Sequence, residues 1–438
     1  MRVAVIGAGA AGLCAARRAT ALASLQHLVV YEQTESVGGT WVYDERTGKD
    51  EYGLPIHSSM YRDMKTNLPK EVMGFPDYPF VGPDESFVPH HEVLKYLERY
   101  ARDFDLLKYI RFRETVTSVR PSKSGEEGAT TWTVSSEDLV NRKQKSEQFD
   151  VVFVCNGHYF EPELPSYPGR EKFRGRLLHS HDYRKAEDFA GATVACLGAG
   201  PSGVDIAIEL SALCPKVFLC YDQAERFKKD SLPPNVEHRS PFSSFAPSAN
   251  AEYGIELTSG EVIEVDAVIF CTGYRFQFPF IDDTEAVPLT VSEGRVQPLY
   301  QHLLHVDFPR SLFFVGVCWS ICPFPHFDVQ IRYCLALACG DALTPPSRQD
   351  MMRWIEQDFR ERMERLGLKN KNRYAHYMGS LQWPYYEELS RLGCFANPVL
   401  PVIGKLYSAV HDSRLGDLSH YKEKRWRILD EHNYQQVN

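Results

Sequence analysis

RVAVIGAGAAGL, residues 2–13, decides how the rest of the chain is read. An apolar run suited to a buried strand meets Gly7-Ala8-Gly9-Ala10-Ala11-Gly12, and the small residues beyond suit a helix lying close on a sheet. In such a turn Gly7 permits the tight reversal, Gly9 lets backbone approach a pyrophosphate, and Gly12 lets helix and strand touch. The phosphates would then face the unpaired N–H groups of a helix N-terminus. A second strand, His27–Tyr31, ends in Glu32, about twenty positions past Gly12. A carboxylate there accepts ribose hydroxyls and repels a 2′-phosphate, so this site should take FAD or NAD rather than NADP. The loop Val37-Gly38-Gly39-Thr40-Trp41 suits a flat ring pressed against it, which favours FAD.

The same pattern returns in TVACLGAGPSGV, residues 193–204, where Gly198, Gly200, Pro201, Ser202 and Gly203 form a second cradle. The strand after it, Lys216–Tyr221, leads to signals that divide. Asp222 stands where an acidic residue favours NAD, whereas Arg226, Lys228 and Lys229 offer cations to a 2′-phosphate. NADPH is the expected ligand, with NADH use left open. Two cradles on one chain imply two dinucleotides and electron transfer between them.

The fold class that follows is α/β, with two Rossmann-like dinucleotide-binding domains, the NADPH domain inserted into the FAD domain. Two apolar strands closing on glycine, Val151–Gly157 and Val268–Tyr274, mark where the chain leaves and re-enters. Residues 1–160 are expected to form the first part of the FAD domain and 161–265 the NADPH domain. Residues 266–438 complete the FAD domain with C-terminal helices. His91–Phe104, with Val93, Leu94, Leu97 and Tyr100 at helical spacing, is a predicted amphipathic helix. Further helices are predicted at Arg348–Leu366 and Gly379–Leu392, and Ser122–Thr131 reads as a hairpin tip.

Composition narrows the function. The net charge is −9 and no basic tract occurs, which argues against a nucleic-acid partner. The 11 cysteines are unpatterned, with no C-x-x-C, which argues against zinc and against a dithiol reductase and suits a reducing compartment. No metal is expected. Met1-Arg2 enters the first strand directly, unlike a signal peptide, and no apolar stretch reaches the length of a membrane span. A cytoplasmic protein is expected, with Phe395–Val410 the stretch that would serve a loose membrane contact. Exposed C-terminal helices would suit a homodimer.

Between the cradles, Phe173, Gly175, His179 and Tyr183 fit the spacing F-x-G-x-x-x-H-x-x-x-Y. With Gly38–Trp41, Thr66–Glu71, Phe270–Tyr274 and Asp328–Arg332 in the same order, the chain resembles a flavin-containing monooxygenase. It is most like the short insect and fungal members, over nearly its whole length, the C-terminal end excepted. The resemblance implies that NADPH reduces FAD and that one oxygen atom of O2 reaches a nitrogen or sulfur nucleophile through a C4a-hydroperoxyflavin. It implies flavin contacts at Gly7, Gly9, Ala10, Ala11, Gly12, Glu32, Gly39, Thr40, Trp41, Thr66, Asn67, Val116 and Gln330. NADPH contacts are implied at Gly198, Gly200, Pro201, Ser202, Gly203 and Arg226.

Asn67 is the candidate catalytic residue, because an amide can hydrogen-bond a flavin-bound oxygen and NADP+ without giving up a proton. His179 and Tyr183 read as hinge or packing residues. Asp328–Arg332 reads as the start of a helix running to Gly340, whose dipole would face the N1–C2=O edge of reduced flavin. Baeyer–Villiger relatives carry Trp-Pro where this chain has Tyr183-Arg184. A Baeyer–Villiger enzyme, a peroxide-releasing NADPH oxidase and a non-enzymatic redox sensor remain the rival readings.

Overall fold

Strand β1 (Arg2–Ile6) is buried from Val3 onward, as a strand covered on both faces must be, and hands over at Gly7 to α1 (Ala10–Thr20). β2 (His27–Glu32) returns parallel to it, Arg2 opposite His27. The structure is a computed structural model describing residues 1–122, 130–222, 227–228, 230–245, 254–281, 285–340, 343–369 and 371–437. Past the short α2 (Lys70–Met73) lies α3 (His90–Asp103). It forms where predicted: Val93, Tyr96, Leu97 and Tyr100 recur at helical spacing and are buried. β3 (Ile110–Phe112) then pairs with β2.

An antiparallel ribbon follows: β4 (Glu114–Ser122), β5 (Thr131–Asp138) and β6 (Lys143–Phe149). Ser122 pairs with Thr131, so the arms of the predicted hairpin are present; its tip, 123–129, lies outside the described residues. β7 (Val151–Val154) then slots beside β1.

The second cradle repeats the plan. β8 (Arg176–His179) and β9 (Thr193–Leu197) precede α4 (Pro201–Ser211), β10 (Lys216–Cys220) and β11 (Val236–Arg239). A small antiparallel sheet of β12 (Phe242–Phe245), β13 (Gly254–Leu257) and β14 (Val262–Glu264) is followed by β15 (Ala267–Phe270). The five parallel strands stand in the order β11-β10-β9-β15-β8. β15 lies beyond the expected boundary at 265, yet its four apolar residues fill the gap between β9 and β8 and are all buried. We therefore propose the boundary after Phe270. β15 stands to β9 as β7 stands to β1.

The chain returns through β16 (Thr290–Ser292), β17 (Arg295–Gln297), β18 (Leu299–Tyr300), β19 (Leu304–His305) and β20 (Leu312–Phe314). The last three complete a first sheet in the order β18-β19-β20-β7-β1-β2-β3. Helix α5 (Pro323–Cys339) packs on α1 and begins a turn and a half before the predicted Asp328. Pro323 at the first helical position explains the early start, because that position needs no N–H. Asp328, fully buried, accepts from Arg18 Nε at 2.6 Å and from Arg332 Nε at 2.7 Å, joining α5 to α1.

α6 (Arg348–Arg365), α7 (Gln382–Leu392) and α8 (Pro401–Gly416) come next, then a terminal hairpin of β21 (Arg425–Ile428) and β22 (Tyr434–Val437). The helix predicted at Gly379–Leu392 is a 3-10 turn over Gly379–Leu381 continued by α7. Among the described residues no helix is long and apolar enough to cross a membrane.

Candidate active site

The two cradles are built alike. Gly7 and Gly198 have φ of 103° and 108°, in the region that favours glycine. A Cβ on Gly7 would lie 2.5 Å from the carbonyl oxygen of Cys155, just past β7; one on Gly198 would lie 2.6 Å from that of Cys271, just past β15. The third glycines press on the first: a Cβ on Gly12 would sit 1.8 Å from Gly7 O, and one on Gly203 1.9 Å from Gly198 O. The middle glycines face the other way. Gly9 has only backbone of Gly39 nearby, its Cα 3.6 Å from the position of a Cβ, and Gly200 has nothing within 4 Å.

Neither α1 nor α4 has a side-chain cap or an acidic residue in its first turn, so their leading N–H groups are free for an anion. Pro201 withdraws one N–H from the second cradle, leaving Ser202, exposed, and Gly203 to donate. This geometry fits two pyrophosphates.

Glu32 closes the first cradle. Its Oε2 accepts from Ala8 N at 2.8 Å, and its Oε1 accepts from the N–H and hydroxyl of Thr34, each at 2.8 Å. Burial pushes this carboxyl up, against the opposing pull of those hydrogen bonds. One lone pair on Oε2 remains for a ribose hydroxyl. Gly38 N–H donates to Ala8 O at 3.1 Å, which folds the Gly39–Trp41 turn over Gly9. Thr40 O accepts from Ser58 Oγ at 3.2 Å, and Trp41 meets Phe324, in the first turn of α5, edge-on at 6.5 Å. The N-terminus of α5 thus stands beside the Gly39–Trp41 loop, and the dipole expected at Asp328 belongs at Pro323 instead.

Other predicted residues are placed differently. Gln330 is fully buried; its amide donates to Tyr385 Oη at 2.9 Å and accepts from Gly316 N at 3.4 Å. Through these two bonds Gln330 braces the turn at Gly316. Val116 packs on the cluster that holds Ile6 and Tyr31, on the sheet carrying Glu32. Arg226 and Lys229 lie outside the described residues, whereas Asp222 and Lys228 are exposed.

Asn67 is half-buried on a loop held from behind. Thr66 N donates to Val88 O at 2.9 Å, and Val88 N donates back to Thr66 Oγ1 at 3.2 Å. With its hydroxyl engaged and its side chain buried, Thr66 is scaffold for its neighbour. Asn67 Oδ1 accepts from Tyr421 Oη at 3.3 Å.

His179 and Tyr183 are buried as the packing reading requires. His179 Nδ1 accepts from His181 N at 3.0 Å, and Tyr183 meets Tyr61 edge-on at 5.5 Å. Arg184, which the sequence marked only as a departure from a motif, is a buried tie. It donates to the carbonyls of Asp44 (2.6 Å), His181 (2.6 Å), Tyr183 (3.1 Å) and Arg46 (2.9 Å), joining the second unit to the first. Burial lowers its affinity for a proton and neighbouring carboxylates restore part of it. His57 and His158 were also missed. Burial holds each down to about 4, so both are neutral beside the crossing at Gly157.

The sequence profile of a family described as Flavin-binding monooxygenase-like matches residues 1–238 and 254–391. A flavin-containing monooxygenase of Arabidopsis thaliana, FMO GS-OX-like 3, is 35% identical over 407 residues, covering 90% of this chain and 87% of the relative. Senecionine N-oxygenase of Tyria jacobaeae is 31% identical over 438 residues, covering 98% and 90%. The solved structure of S-allyl-L-cysteine S-oxygenase from Allium sativum superposes with a TM-score of 0.85 at 32% identity, covering 97% of this chain and 95% of that one.

Proposed function

This chain belongs to the flavin-binding monooxygenase-like family, and on that premise we propose that it oxygenates soft nitrogen or sulfur nucleophiles. It is an oxidoreductase with FAD and NADPH as cofactors. When bound, these two groups supply the electrons and activate O2.

The chain's own work is placement. Glu32 takes a ribose hydroxyl, and the free N–H groups at the starts of α1 and α4 take the two pyrophosphates. The Gly39–Trp41 turn and the N-terminus of α5 border the space where a flavin ring would lie. Asn67 offers amide N–H groups to that space, and they hydrogen-bond without protonating what they touch. Arg184 and Tyr183 keep the two units packed, which excludes water from the cleft.

One observation carries the reading: the same glycine geometry occurs twice, and the loops from Gly39 to Asn67 lie between. The relatives' names include both an N-oxygenase and an S-oxygenase, so both substrate classes are proposed. The test is product analysis with FAD-loaded protein and NADPH, offering a thioether, a tertiary amine and a cyclic ketone in turn. Sulfoxide or N-oxide matching the NADPH consumed is expected. A lactone would make it a Baeyer–Villiger enzyme, peroxide alone an oxidase, and no turnover a binding protein. NADH in place of NADPH is expected to work less well.

A further inference from the structure

Residues 392–438 lie beyond the part of the chain that the family profile matches, yet one stretch of them reaches Asn67. We propose that Tyr421 and Lys422 form a positioning strap that fixes the Asn67 amide and holds the nicotinamide-side helix α4 in register with it. This rests on the reading of Asn67 given above.

Tyr421 is 1% exposed, and its hydroxyl donates to Asn67 Oδ1 at 3.3 Å. An amide has one acceptor atom and one donor atom of nearly equal size, so packing alone does not choose between its two orientations. The Tyr421 hydroxyl holds the amide by its oxygen, and the N–H groups, which make no hydrogen bond to the described residues, are left for the cleft. The reverse orientation would point a carbonyl oxygen at activated oxygen and repel it.

Lys422 works from the next position. Its ammonium donates to Lys65 O at 3.1 Å, two residues before Asn67, and pairs with Asp205 Oδ2 at 2.6 Å. The pair is largely shielded, with side chains 18% and 11% exposed. Asp205 lies on α4 directly after the cradle turn Pro201–Gly203, and the same Oδ2 accepts from Tyr61 Oη at 3.2 Å. One cation therefore spans from the back of the Asn67 loop to the helix that opens the second cradle.

The strap is anchored on both units. Ser419 donates through N (3.1 Å) and Oγ (3.0 Å) to Ser231 O, beyond β10. Trp426 N donates to Ser86 Oγ at 2.7 Å, and Tyr421 meets Phe87 edge-on at 5.3 Å, beside the Val88 that pins Thr66. A tail that merely covered apolar surface would not place two polar ends on Asn67 and Asp205.

The test uses the full-length, FAD-loaded protein and measures flavin content, KM for NADPH, and peroxide released per oxygenated product. Tyr421→Phe should keep its flavin and its KM while the peroxide-to-product ratio rises roughly 3–10-fold, the effect of one lost hydrogen bond. Added to Asn67→Leu, it should change nothing further, because the two act through one amide. Lys422→Met should raise KM for NADPH about 10-fold with flavin retained, and Lys422→Arg should restore most of the loss. If Lys422→Met fails to fold, Asp205→Asn breaks the same pair from the other side with the same expected result. An unchanged peroxide ratio in Tyr421→Phe, with Asn67→Leu strongly uncoupled, overturns the strap and leaves the role of Asn67 standing. An unchanged ratio in Asn67→Leu as well overturns both.

Discussion

The glycines of the two cradles were readable one by one because their constraint is local. Each first glycine needs positive φ and each third glycine abuts the first one's carbonyl, and both demands follow from the spacing alone. The bracing contacts of Gln330 and Arg184 were not readable, because distant segments supply them. Gln330 is sealed by Tyr385 and Arg184 is wrapped by carbonyls from residues 44–46. Asn67 carries the sharpest prediction at this scale. Asn67→Leu should retain FAD, form about 10-fold less oxygenated product, and divert the missing NADPH equivalents to peroxide, read by parallel product and peroxide assays. Asp328→Ala should leave Arg18 and Arg332 with only the partly exposed Asp77 as carboxylate partner and cost about 1–3 kcal/mol in a denaturant melt.

Helices and strands were largely legible from periodicity, and the exception is instructive. The opening of α5, Pro323-Phe-Pro325, carries two prolines and precedes the start expected at Asp328; the structure uses them in the first turn, where no N–H is required. Helix α4 separates two kinds of glycine. Gly200→Ala meets open space, so it should leave the melting temperature unchanged and raise KM for NADPH. Gly203→Ala collides with Gly198 O and should lower both stability and NADPH affinity.

The same helix carries Glu209, whose carboxyl burial pushes from 4.5 up to about 7. The folded protein therefore holds that proton more tightly than the unfolded chain. The carboxyl's destabilising contribution is absent below 4.5, grows as pH rises, and is complete above 7. Glu209→Gln should raise the melting temperature by roughly 2–4 °C near pH 8 and change little near pH 4.

At the scale of the whole molecule, two cradles in one chain were enough to foretell two dinucleotide units, one set within the other. The boundary expected at 265 and the one proposed after Phe270 differ because an apolar strand such as Ala267–Phe270 reads identically whichever sheet it joins. How the units lock together was invisible to sequence reasoning. Arg184, Tyr61, Lys422 and Ser419 bind across the junction through carbonyls, hydroxyls and a carboxylate that lie far apart along the chain. On the proposed function, that locking sets one cofactor against the other. The most direct measurement is anaerobic: mix the FAD-loaded protein with one equivalent of NADPH and follow the visible absorbance of the bound flavin. The account expects the flavin to be bleached, one nicotinamide oxidised per flavin reduced. A flavin that stays yellow with excess NADPH, in protein shown to bind both, would contradict it.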